Sequence, residues 1–120
     1  MQQVTLEWDA PRHWPELRAL AEGLLAACDG RIGAEQPDWI GHVKALVATE
    51  EGAAYASLTG AGEPVTWRGA LARPAARAEV TLYAVIWAAP EALAQAAVSG
   101  ALAPLEGRGH EDTRARRHDD

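Results

Sequence analysis

Polar and apolar residues alternate without a break over residues 3–9 (QVTLEWD), setting Val4, Leu6 and Trp8 on one side and Thr5, Glu7 and Asp9 on the other. A period of two predicts a strand with one buried face. The period then changes. Pro15 and Glu16 suit the first turn of a helix, where a fixed φ costs nothing and a carboxylate complements the helix dipole. Leu17, Leu20, Leu24 and Cys28 follow at steps of three and four, an apolar stripe that ends at Asp29-Gly30. The pattern predicts a helix over 15–28. Residues 31–38 (RIGAEQPD) gather glycine, proline and acids without a period and read as a loop.

Residues 39–60, WIGHVKALVATEEGAAYASLTG, carry the most informative pattern. Trp39, Gly41, Val43, Ala45 and Val47 share one parity and read as the core side, with Ile40, His42, Lys44, Leu46 and Ala48 opposite. Glu50-Glu51-Gly52 makes a turn with both carboxylates in solvent. Residues 53–59 return with Tyr55, Ser57 and Thr59 facing away from Ala54, Ala56 and Leu58, which completes a β-hairpin. Residues 60–77 have little usable period: 65–68 suits a short edge strand, and the remainder suits a functional loop or an edge-covering segment. Residues 78–88 (AEVTLYAVIWA) are the most apolar and β-branched run, a central strand with Val80, Leu82, Ala84 and Ile86 toward the helices. A second proline-acid start, Pro90-Glu91, opens a helix that runs to Pro104. From Glu106 the chain is polar, charged and without apolar anchors, which predicts a disordered tail.

Two helices and four to five strands in the order β-α-β-β-(β)-β-α predict an α+β two-layer sandwich. In it a mainly antiparallel sheet carries both helices on one face, loosely ferredoxin-like, with one domain over 1–105 and a tail over 106–120.

Composition narrows the function classes. The chain has 120 residues and a formal net charge of -6. Removing the tail's five acids and four arginines leaves -5 on the body. An acidic body with scattered basic residues repels phosphate backbones, so no nucleic-acid partner is expected. The amino terminus has neither a basic nor an apolar signal region, and no apolar run reaches the length of a membrane span. No membrane is expected, and a cytoplasmic location is. The lone Cys28 rules out an intrachain disulfide and completes a helix stripe. Abundant alanine, and one lysine against ten arginines, point to a GC-rich bacterial genome.

With both helices on the Val80 and Leu82 side, the opposite face collects Thr5, Glu7, His42, Lys44, Tyr55, Ser57, Thr81, Tyr83, Val85 and Trp87. Such a face is too apolar for plain solvated surface and too polar for core, the composition of an association surface. Packing of the face on a second copy predicts a homodimer or higher homo-oligomer. His42 and Lys44 are the candidate chemistry. Alternate residues of one strand point the same way, roughly 6–7 Å apart, so imidazole and ammonium can grip one small anionic ligand. His42 is the candidate acid or base, Lys44 the anion anchor, and Tyr55, Tyr83 and Trp87 line the site. The plainer reading, which prevails on the sequence alone, is that His42 and Lys44 are solvent-facing polar residues of a half-exposed strand. Trp67, with Trp87, is read as a surface tryptophan.

Other motifs lack their carriers. Gly30-Arg31-Ile32-Gly33 has the spacing of a nucleic-acid-clamping GxxG loop, but the loop of that class joins two helices and residues 34–39 do not look helical. The histidines and Cys28 show no metal-ligand spacing, and no serine-hydrolase, P-loop or dinucleotide signature is present, so no cofactor and no metal are expected. The sequence predicts a binding or accessory protein that uses an open sheet face; a small enzyme or metabolite-binding protein is the alternative.

Overall fold

The computed structural model describes residues 1–107 and 113–119. In chain order the elements are β1 (Gln2–Arg12), α1 (Trp14–Glu35), β2 (Ile40–Ala48), β3 (Ala53–Gly60), β4 (Thr66–Arg68), β5 (Ala75–Ile86), α2 (Glu91–Gly107) and β6 (Thr113–Asp119). The strands form one sheet in the order β4-β3-β2-β5-β1-β6, and every neighbouring pair is antiparallel. The α+β class and the two helices agree with the sequence pattern. The sheet has six strands rather than four to five. The sixth arises where the pattern predicts a polar tail: residues 113–119 pair along β1, while 108–112 and 120 lie outside the described residues.

Burial follows the period of two. Val43, Ala45 and Val47 of β2 are buried, as are Ala54, Ala56 and Leu58 of β3 and Val80 and Leu82 of β5. Their alternates are exposed or half-buried. Val4, Leu6 and Trp8 join them from β1. Both helices therefore lie on one face of the sheet. They bury Leu17, Ala21, Leu24, Leu25, Cys28 and Ile32 from α1, and Ala94, Ala97, Val98, Ala101 and Leu102 from α2. No helix among the described residues is long and apolar enough to cross a membrane.

Helix α1 does not stop at Asp29-Gly30. It continues through Gly30 and Gly33 to Glu35, so the GxxG stretch is helical and forms no loop. Each glycine inside a helix costs about 1 kcal/mol relative to alanine. Full burial of Ile32, one turn beyond Cys28, contributes about 2 kcal/mol. Asp29 adds a polar tie: its Oδ1 accepts the Trp39 Nε1–H at 2.9 Å and its Oδ2 accepts the Gly62 N–H at 3.3 Å. These contacts outweigh the glycines and fix α1 to the start of β2. Helix α2 likewise passes through Pro104 to Gly107 instead of ending there.

Candidate functional site

The five residues singled out from sequence share one region. Lys44 stands on the open face of β2, half-buried, with Ser57 of β3 opposite on one side and Tyr83 of β5 on the other. The next row holds Tyr55, Leu46 and Thr81, with Arg68 of β4 beyond Tyr55. His42 is exposed one row the other way, opposite Val85, and its ring meets Trp87 edge-on at 6.4 Å between centroids. The set is thus spread over the face of three paired strands.

The backbone is irregular beside His42. Between Ile40↔Gly60 and Val43↔Leu58, β2 advances three residues while β3 advances two, so one extra residue is accommodated next to His42. A bulge of this kind bends the strand and re-aims its side chains. On the other edge the register with β5 is unbroken, and Gly41 lies so close to it that a Cβ would stand 2.1 Å from the Val85 carbonyl oxygen. Glycine is required there by the approach of the two backbones, not by its φ.

The large exposed apolar side chains gather on this face and its end: Ile40, Tyr55, Val85 and Trp87 have relative exposures of 57%, 50%, 52% and 60%. Charge is segregated as well. Among side chains described there in regular register, Lys44, Arg68, Arg77 and Arg116 oppose only Glu7 and Glu79, whereas α1 carries Glu16, Glu22, Asp29 and Glu35 against Arg18 and Arg31. The open face is thus locally positive on a chain of net charge -6. Lys44 and Arg68 form no ion pair among the described residues.

Two sequence expectations fail locally. Trp67 is not a surface tryptophan: it packs edge-on against Trp14 with centroids 5.1 Å apart, and its Nε1–H donates to Glu22 at 2.7 Å. That bond and the Arg18 guanidinium lower the Glu22 carboxyl from its usual range. Its neighbour in strand parity is Ala56, which faces the helices. Glu51 is not simply a solvated turn carboxylate. Its two oxygens accept the backbone N–H groups of Ala72 and Arg73 at 3.1 and 3.0 Å, pinning the loop after β4 across the tip of the β2–β3 hairpin. Leu71, buried at the same loop, anchors it from below.

That loop creates a concavity of about 680 Å³ between the hairpin tip, residues 48–51, and the start of β5, residues 73–79. None of the five residues expected from sequence lines it. Its signal was faint because it arises from where strands end, which no periodicity records. Cys28 is remote from both places. Burial pushes its thiol up to about 12, and its Sγ approaches the Ala97 carbonyl at 3.8 Å. Among the described residues no group of three or more His, Cys, Asp or Glu side chains is placed to hold a metal ion. Comparison with protein-family models, with curated proteins and with solved structures finds no match to this chain.

Proposed function

We propose that this chain is a binding protein that associates through its open sheet face, with a second copy of itself as the partner. The observation that carries the reading is the exposure of Ile40, Tyr55, Val85 and Trp87 on a face that neither helix covers. Scattered single apolar residues are ordinary on a surface, but Ile40, Val85 and Trp87 gather around His42 at one end of the open face, with Tyr55 two rows away, and a group of that kind is the composition of an interface. A two-fold axis along the row of His42 and Val85 sets Val85 against its own copy and brings Ile40 and Trp87 over Lys44 and Tyr83 of the other copy, and an isologous interface makes every such contact twice. The strand order β6-β1-β5-β2 under two helices supports a ferredoxin-like core, with β3 and β4 as an extension of one edge.

The interface is tested by substituting Trp87→Arg or Val85→Arg and measuring solution mass by light scattering. A desolvated guanidinium at the centre of an apolar contact is costly. Either variant is therefore expected to shift the protein toward the monomer mass of 12.8 kDa while it stays folded, with the melting temperature lowered only by the lost association. A wild type that is monomeric at every concentration removes the proposal.

The Ser57, Lys44 and Tyr83 row supports a second reading, a small enzyme or metabolite-binding protein. Hydroxyls on both sides of an ammonium that meets no carboxylate among the described residues form a donor set for a small anion. His42 then serves as acid or base. His42→Ala and Lys44→Ala should each abolish a ligand-induced thermal shift while leaving the unliganded melting temperature nearly unchanged. If no metabolite anion shifts the wild type, this reading is excluded.

A further inference from the structure

We propose that the open face takes an aromatic anion, a planar ring joined to a phosphate or a carboxylate, with the anionic group over Ser57 and the ring on Tyr55. The inference rests on the small-anion reading of Lys44 and names the class of ligand. Strand β4 supplies the first observation. Its Thr66 stands opposite Ser57, so the row through Lys44 runs Thr66, Ser57, Lys44, Tyr83 across four strands. Each of these side chains ends in a hydrogen-bond donor. Among the described residues none of the four is engaged in a hydrogen bond or an ion pair. Such a row suits an acceptor with several oxygens and a negative charge, because charge-assisted bonds are roughly twice as strong as neutral ones.

The relief and the charges of the face place the anion. Ser57 is short and half-buried, with the longer Tyr55 beside it on β3 and Lys44 beside it on β2. Neighbouring strands lie about 4.8 Å apart, so an oxygen above Ser57 is within reach of the Lys44 ammonium and of the Thr66 hydroxyl. Arg68, exposed, is the diagonal neighbour of Ser57, about 7–8 Å away. No carboxylate shares this patch. The nearest one in register on the face is Glu79, opposite Ala48 and four residues along β2 from Lys44, roughly 13 Å. That distance exceeds the Debye length of about 8 Å at physiological ionic strength, so Glu79 opposes the anion only weakly.

Tyr55 selects a ring. It lies two residues from Ser57 on the same strand, roughly 6–7 Å away, and is 50% exposed. Leu46 stands opposite it on β2 and Arg68 opposite it on β4. A planar group laid on the tyrosine therefore meets an aromatic face, an apolar edge and a guanidinium plane together, and each of these favours an aromatic ring over an aliphatic chain.

The test is a titration of the 15N-labelled full chain with small probes, read through its backbone amides. Phenyl phosphate and benzoate carry ring and charge, inorganic phosphate and acetate carry charge alone, and phenol carries the ring alone. Saturable shifts at Lys44, Tyr55, Ser57 and Thr66 are expected. Phenyl phosphate or benzoate should bind about tenfold more tightly than its counterpart without a ring, the ratio that stacking and the area it buries imply. The tighter of the two names the anionic group. Tyr55→Ala should erase that ratio and Tyr55→Phe should keep it, since the ring and not the hydroxyl produces it. Lys44→Gln should weaken both aromatic anions by about tenfold or more, as loss of a charge-assisted bond implies. All three variants should stay folded, which the amide spectrum itself reports. Inorganic phosphate or acetate binding as tightly as its aromatic counterpart overturns the aromatic class and leaves the small-anion reading standing. Phenol binding as tightly as phenyl phosphate and benzoate, an aromatic advantage that survives Tyr55→Ala, or binding untouched by Lys44→Gln also overturns the proposal. No saturable shift with any probe overturns the proposal and the small-anion reading together.

Discussion

Gly41 and Gly23 show how differently one residue type acts at two places. At Gly41 the β5 backbone occupies the space a side chain needs, the Val85 oxygen lying 2.1 Å from a built Cβ. Gly41→Ala should destabilise the protein by about 2–4 kcal/mol, measured by urea denaturation, because two central strands must separate. Gly23 is exposed in the middle of α1 with nothing within 4 Å of an added methyl. Gly23→Ala should stabilise by about 0.5–1 kcal/mol through helix propensity alone. Cys28 supplies the pH dependence. Its folded-state pKa is raised by burial from the usual 9 to about 12, so unfolding releases a more acidic thiol. The stability from its burial is fully present below pH 9 and is lost as pH rises from 9 toward 12. At pH 8 its labelling by a thiol reagent should therefore track global unfolding, and Cys28→Ser should flatten the alkaline loss of stability.

Among the elements, the C-terminal half of α1 owes most to tertiary contact. Its two glycines argue against a helix, and Ile32 and Asp29 reverse the outcome. Asp29→Ala leaves the Trp39 indole N–H and the Gly62 amide without their acceptor and should cost about 2 kcal/mol. Hydrogen exchange should then show fraying of residues 30–35 before the rest of the helix. The same element marks what the sequence could convey. Strand parity was legible because one residue's slip would turn a whole face inside out; Val43, Val80 and their alternates stand where the period of two puts them. The end of α1 was not legible, since Asp29-Gly30 is a local stop signal overridden by a buried residue two positions further on. Strand β6 was hidden for a related reason. A charged edge strand needs only one apolar contact, and Ala115 opposite Leu6 is a weak mark in a polar stretch.

For the whole molecule, the placement of both helices on one face decides what remains to be bound. His42, Lys44, Tyr55 and Tyr83 were legible as one set because they follow parity on three paired strands. The groove at residues 48–51 and 73–79 was not, because it depends on β5 outrunning β2. The net charge of -6 misdescribes the part of the open face in regular register, where among the described side chains Lys44, Arg68, Arg77 and Arg116 outnumber Glu7 and Glu79. A face at once apolar and cationic, backed by an acidic helix, is the side on which the proposed association rests. Added salt should weaken that association only modestly if apolar burial dominates it, since screening acts on exposed charge.

The most direct test is the solution mass of the wild-type chain by light scattering over a wide range of concentration. Association through the open face predicts twice the monomer mass of 12.8 kDa, falling toward the monomer value on dilution or on Trp87→Arg. A constant monomer mass throughout, or a dimer untouched by Trp87→Arg and Val85→Arg, contradicts it.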